Sequence, residues 1–281
     1  MTLLSVFRRT AALVALAAVA VTIAACGSKT PPPAFGSADA DRFLFERGTE
    51  FLARKNWINA REYFRRLVDT YPQSRYRADA KLGIGDSYVG ENRVESLILG
   101  ANEFREFLQF FPLNPRADYA QYRLAYAHHR QMLGAQRDQT ATLEALREIQ
   151  RFLDNYPDSK YRDEVVALHR SAQDRLSEGE FKVGQLYYRI RNYIGALNRF
   201  AALLKQDPNY SKRDAVWFYI AETFLKTNAL PEALPYYDRI LKDMPASEYK
   251  ERAERRMAEI KRLLDSAAAP GAPKPGAVSG S

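Results

Sequence analysis

Asn56-Trp57-Ile58-Asn59-Ala60-Arg61-Glu62-Tyr63-Phe64-Arg65-Arg66-Leu67-Val68-Asp69-Thr70-Tyr71-Pro72 is the stretch that decides the fold. It sets Ala60, Phe64, Leu67 and Val68 at 12, 8, 5 and 4 residues before Pro72. Those offsets fall on one face of a helix with about 3.6 residues per turn. The same register recurs before Pro112, Pro157, Pro208 and Pro245, at spacings of 40, 45, 51 and 37 residues. Twelve before each proline stands a small residue: Ala60, Gly100, Ala145, Ala196, Ala233. Eight before stand Phe64, Phe104, Ile149, Phe200 and Tyr237, and five before stand Leu67, Phe107, Phe152, Leu203 and Ile240. Four before stand Val68, Leu108, Leu153, Leu204 and Leu241. The small residue admits a neighbouring helix, the large ones fill the space between paired helices, and the proline stops the helix.

Outward from these five helices, each proline is followed by a new amphipathic pattern, such as Tyr76-Ala80-Ile84-Tyr88 and Ala117-Ala120-Leu124-Ala127. Helix pairs with a proline-bearing turn, repeated, are the tetratricopeptide pattern. The expected fold is all-α: a tetratricopeptide-like helical-hairpin solenoid of about five repeats plus a C-terminal capping helix. Expected spans are 40–54, 57–70, 75–89, 93–110, 115–133, 138–154, 160–190, 193–206, 211–227, 230–243 and 247–265. The seventh span holds no proline and predicts one long helix, or two nearly collinear ones, packed on both flanking pairs.

The ends of the 281-residue chain read differently. Arg8 and Arg9 precede an apolar or small run over 10–25, too short for a bilayer span of ~20 residues and of the form of an export signal. It closes on Ile23-Ala24-Ala25-Cys26-Gly27, which resembles a bacterial lipobox with Ile in the usual Leu position. The expected organisation is a lipoprotein signal over 1–25, then a lipidated Cys26 and tether over 26–38 containing Pro31, Pro32 and Pro33. The repeat domain follows over 39–266, with a disordered Ala/Pro/Gly/Ser tail over 267–281. Cys26 is the only cysteine, and the lipid it would carry, diacylglycerol and an N-acyl chain, is the only covalent group expected. Gly27, in place of an Asp, favours the outer membrane, facing the periplasm. Removing 1–25 takes away Arg8 and Arg9 and no acid, which lowers the net charge from +8 to +6.

Catalytic and metal chemistry find little material. Gly83-Ile84-Gly85 lacks a phosphate-loop spacing and lies within an expected helix. His128 and His129 are adjacent and diverge on a helix, and Glu178 and Glu180 diverge likewise. No enzyme and no metal site are expected. Arginines interleaved with acids, as in Arg61-Glu62 and over 251–256, read as solvated helix faces rather than a nucleic-acid surface. The 17 tyrosines, Tyr71, Tyr76, Tyr88, Tyr161, Tyr187 and Tyr188 among them, serve helix packing or line a groove for extended peptides.

The lipobox, the tether and five such pairs resemble the BamD family, lipoproteins of the β-barrel assembly machinery of the outer membrane. Three stretches carry the resemblance. They are Asn56-Trp57 through Pro72, then 107–115, where Asn114 replaces a frequent His, and 175–200 with Glu178, Glu180, Tyr187, Tyr188 and Arg199. The resemblance implies a non-enzymatic scaffold that receives unfolded outer-membrane proteins and docks the barrel-forming assembly protein and accessory lipoproteins. It also implies Tyr71 and Arg199 as contacts for substrate or partner. Taken alone, Arg199 reads as a plain surface residue and Tyr71 as a cap. A tetratricopeptide lipoprotein assisting a pilus or secretion-system secretin stays open as an alternative.

Overall fold

The computed structural model describes residues 39–268. The export signal, Cys26, the tether over 26–38 and the chain beyond 268 lie outside the described residues. Within them run eleven helices: α1 (Ala40–Ala53), α2 (Trp57–Thr70), α3 (Arg77–Glu91), α4 (Val94–Phe110), α5 (Ala117–Arg130), α6 (Thr140–Asn155), α7 (Arg162–Arg189), α8 (Tyr193–Gln206), α9 (Arg213–Lys226), α10 (Leu230–Asp243) and α11 (Lys250–Ala268). Each helix packs on the next, making five hairpins and a cap. The fold is the all-α tetratricopeptide-like solenoid expected.

The proline register is the core. All residues at 12, 8 and 5 before the prolines are buried, and those at 4 before are half-buried in every repeat. Five apolar clusters follow, each built from one hairpin and the first helix of the next. Phe64 and Leu67 meet Ala80 and Ile84 of α3, and Phe104 and Phe107 meet Ala120 and Leu124 of α5. In the last cluster Tyr237 and Ile240 meet Ala253 and Ile260 of α11, which is why the array needs that helix to finish. Burying such a side chain contributes roughly 1.5–3 kcal/mol. Gly83 and Gly85 serve this packing: a Cβ on Gly83 would fall 2.5 Å from the Phe64 ring, and one on Gly85 would fall 2.7 Å from Phe104.

The helices after the prolines start two or three residues later than the expected 75, 115, 160, 211 and 247. The residue before each proline is forced from helical geometry. Tyr71, Phe111, Tyr156, Asp207 and Met244 all have φ between −125° and −135°. Each still donates its N–H to the carbonyl five before the proline, as Tyr71 does to Leu67 at 2.9 Å. Two successive turns, such as Ser74 N–H to Tyr71 O and Arg77 N–H to Ser74 O, then use up the intervening residues. At the far end α11 continues to Ala268, so 267 and 268 are helical rather than tail.

The hairpin turns of repeats one, two, four and five use one left-handed residue each, Lys55, Asn92, Arg191 and Asn228, at φ 55–63°. The third repeat instead has a longer connection over 131–139. The long helix α7 is single and serves two repeats. Val165 packs in the cluster of α5 and α6, while Phe181 packs with Phe200 and Tyr210.

Candidate functional site

The fourth hairpin gathers Glu178, Glu180, Tyr187, Tyr188 and Arg199, five of the residues singled out in the sequence. Glu180 and Tyr187 stand two turns apart on α7, and Arg199 faces them from α8. Arg199 donates through Nη1 to Glu180 Oε2 at 3.4 Å, and its guanidinium lies 6.0 Å from the centre of the Tyr187 ring. Tyr187 is set by a close approach: a Cβ on Gly195 would fall 2.6 Å from its ring. Both charged side chains are about half exposed, so the ion pair adds little stability and its partners remain open to exchange. At the tip of the same hairpin Ile190 and Ile194 are 62% and 74% exposed, with Leu186 exposed beside them.

The same hairpin also holds a polar knot. Asp207, which occupies the position before Pro208 where three other repeats carry an aromatic ring, is only 4% exposed. Two nitrogens of Arg170 donate to its two oxygens, one at 2.9 Å, and Ser177 Oγ donates at 2.6 Å. Burial alone would raise the Asp207 pKa, but the hydrogen bonds from Arg170 and Ser177 and the Arg170 charge outweigh it and hold the carboxyl below its ordinary range. Glu178 points elsewhere than Glu180. It accepts from Tyr210 Oη at 2.6 Å and from Lys212 Nζ at 3.0 Å, and these bonds likewise outweigh its burial and keep its pKa low.

Tyr71 lies three repeats away. It ends α2 and packs half-buried against the first cluster, whereas Tyr187 packs against the fourth, so the structure does not bring Tyr71 and Arg199 together. Of the other tyrosines, Tyr76 stacks on Phe45 at 5.0 Å and Tyr161 on Tyr122 at 5.1 Å, which is packing. His128 and His129 point apart, toward Arg105 and Ser171. Among the described residues no group of three or more His, Cys, Asp or Glu is placed to hold a metal, and no helix is long and apolar enough to cross a membrane.

Two arginines expected on solvated faces are interhelical instead. Arg61 of α2 pairs with Glu91 of α3, with both side chains largely buried. Arg256 of α11 donates at 3.0 Å to Glu222, a carboxylate that also accepts from Tyr237 at 2.7 Å. Two further features escaped sequence reasoning. First, an acid on the first helix of each repeat holds the turn after the second. Asp41 accepts from Ser74, Asp118 from Ser159, Asp174 from Ser211 and Asp214 from Ser247, all at 2.6–2.7 Å. Asp79 accepts from Arg116 at 2.8 Å in the same way. Second, the residues fourteen before the prolines, Ile58, Ile98, Leu143, Ile194 and Pro231, are all exposed. The proline alignment contains that apolar column, but a search for buried faces passes over it.

Five hairpins with one buried register and a capping helix define a helical-repeat protein of the tetratricopeptide class. The chain belongs to the BamD family: the family model described as YfiO, outer membrane lipoprotein, matches residues 37–227. That match ends with α9, so it holds all of the fourth hairpin and leaves out α10 and α11. The chain is 27% identical over 227 residues to "Outer membrane protein assembly factor BamD" of Caulobacter vibrioides, covering 80% of this chain and 73% of that one. It is 24% identical over 227 residues to the protein of the same description from Haemophilus influenzae, covering 75% and 82%. Among solved structures, the TPR2AB-domain:pHSP90 complex of yeast Sti1 aligns with a TM-score of 0.46 at 14% identity, covering 81% of this chain and 85% of that one.

Proposed function

We propose that this chain is an outer-membrane protein assembly factor: a non-enzymatic scaffold, held at the periplasmic face by lipid on Cys26, that helps receive and insert unfolded outer-membrane proteins. Its fourth hairpin docks the periplasmic part of the barrel-forming assembly protein, with accessory lipoproteins joining the same scaffold. The observation that carries the docking is the composition of that hairpin. It offers a half-exposed Arg199, aligned over Tyr187 and lightly held by Glu180, beside the exposed apolar tip of Leu186, Ile190 and Ile194. An aromatic and an arginine next to apolar side chains are the residue types that dominate protein interfaces. The family match over residues 37–227 supports the machinery to which that surface belongs.

In this reading Arg199 exchanges Glu180 for a carboxylate of the partner, where its planar fork pairs bidentately. Lipid supplies the anchor, at about 0.8 kcal/mol per buried CH₂ summed over several acyl chains. The test is to purify the tagged full chain from membranes in mild detergent and identify what accompanies it, with fatty-acid labelling of wild type and Cys26→Ser. A barrel-forming protein in the eluate, and label lost with Cys26→Ser, are the expected results. A secretin in its place would replace this reading with the pilus or secretion-system one, and equal labelling would remove Cys26 as the anchor.

A further inference from the structure

Successive helices run in opposite directions, so the hairpin turns share one edge of the array and the proline turns the other. The exposed apolar column noted above lies along the hairpin-turn edge, at the start of the second helix of each repeat. The fourth tip belongs to the docking surface already assigned to Arg199. The first three tips repeat one composition, an exposed cation beside an exposed large apolar side chain. Lys55 stands three before Ile58, Arg93 adjoins Val94, and Arg137 shares the third connection with Leu133. Ile58 and Val94 are 69% and 61% exposed, so core packing does not account for them.

The acids at these tips are engaged locally. Glu91 accepts from Arg61 and Ser96, while Arg93 comes only within 4.0 Å of it and is 74% exposed. Glu50 lies between Arg47 and Arg54, and Asp138 accepts from the N–H and hydroxyl of Thr140. Glu95 sits in the first turn of α4, where it complements the helix dipole. On the proline-turn edge cations are instead paired across helices, as Arg116 with Asp79 at 2.8 Å and Lys212 with Glu178 at 3.0 Å. The hairpin-turn edge thus sets forward cations next to apolar side chains, the pairing that suits a bilayer surface. Lipid phosphates attract Lys and Arg, and the boundary beneath them takes apolar side chains. The reach of the chain fits as well. Cys26 is joined to α1 by residues 26–38, which span at most about 45 Å. The fourteen residues of α1 cover only about 21 Å between the two edges.

We propose that the first three hairpin tips rest on the surface of a bilayer bearing anionic phospholipid, with Lys55, Arg93 and Arg137 at the phosphates and Ile58, Val94 and Leu133 at the acyl boundary. This rests on the lipid anchor at Cys26 for its orientation and is independent of the docking at Arg199. The test is flotation of the mature chain from position 26, carrying Cys26→Ser so that no acyl chain contributes. Mixed phosphatidylethanolamine/phosphatidylglycerol vesicles are compared with phosphatidylcholine vesicles. Binding to the anionic vesicles should be at least about tenfold tighter at low salt, and the preference should fall as salt rises. Lys55→Glu/Arg93→Glu/Arg137→Glu should abolish the preference. Ile58→Ser/Val94→Ser/Leu133→Ser should weaken binding about threefold or more and leave the salt dependence in place. Arg75→Glu/Lys160→Glu/Lys250→Glu, an equal charge change at exposed positions of the proline-turn edge, should keep most of the preference, with circular dichroism showing every variant folded. Equal binding to the two kinds of vesicle would overturn the proposal, as would a loss at the proline-turn edge as large as at the tips. Tip variants that float like the parent chain would overturn it too and give the edge to a protein partner. Fatty-acid labelling tests the anchor separately: label on wild type without vesicle preference faults this edge alone, and preference without label faults the anchor alone.

Discussion

Tyr71 and Asp207 hold the same place, one residue before the proline, in the first and fourth hairpins. Both have closely similar backbone angles, φ −125° and ψ 69° against φ −135° and ψ 80°, and both donate their N–H to the carbonyl five before the proline. Tyr71 packs half-buried on apolar neighbours, whereas Asp207 is buried and tied to Arg170 and Ser177 of α7. The turn thus demands a backbone conformation, and its side chain adapts to whatever the preceding helix offers. At the first hairpin α1 ends after fourteen residues. At the fourth, α7 is twenty-eight residues long and carries Arg170 and Ser177 to the corner. Extra helix length has therefore allowed a polar lock in one repeat where the others use rings or a methionine.

The largest effect expected is at that lock. Asp207→Ala strands Arg170 and Ser177 and should cost about 3 kcal/mol, at the low end for a broken buried pair because Arg170 is partly exposed and keeps Asp174. Tyr71→Ala loses a half-buried ring and should cost only about 1–2 kcal/mol. Urea unfolding of the two variants compares the corners directly, and a Tyr71→Ala loss equal to that of Asp207→Ala would erase the contrast. Next in size, Ala196→Leu enlarges the small position facing a neighbouring helix and should cost about 1–3 kcal/mol by overpacking. A melt in which Ala196→Leu were harmless would break the proline register itself.

A smaller effect is pH dependence. The folded Asp207 pKa is depressed, so its contribution is complete above the unfolded carboxylate value of about 4 and is lost as pH falls through the lower folded value. Asp207→Asn should accordingly be less stable than wild type at neutral pH, and its stability should fall less on acidification. Parallel acid titrations of the two proteins would contradict this. Smallest of all, Arg66→Ala, on an exposed face of α2, should change stability by less than about 0.5 kcal/mol.

The repeats and the small-to-large columns were legible because each follows from spacing along one helix, and the lack of proline over 160–191 marked α7 as one long helix or two nearly collinear ones. Proline chemistry even placed the helix ends, though not the two turns that delay the next start. The Asp–Ser latches were not legible, because their partners lie 33 to 41 residues apart and the interval varies with helix length. Asp207 stands before Pro208 in the sequence with nothing there to mark it as buried, because its burial depends on where Arg170 falls on α7. Arg199 was picked out by resemblance. Its engagement by Glu180 and its place over Tyr187 needed both helices in three dimensions.

Docking of the barrel-forming assembly protein on the Arg199 face of the fourth hairpin, as proposed, stands or falls on the affinity of that partner for wild type, Arg199→Glu and Arg199→Lys. Circular dichroism should show all three folded, since the Glu180 pair is exposed and contributes little. Arg199→Glu should lose about 2–5 kcal/mol of binding, roughly 30-fold or more, by setting two negative charges together in a partly desolvated contact. Arg199→Lys should lose less, keeping the charge without the fork. A folded Arg199→Glu that holds the partner as tightly as wild type would contradict the account.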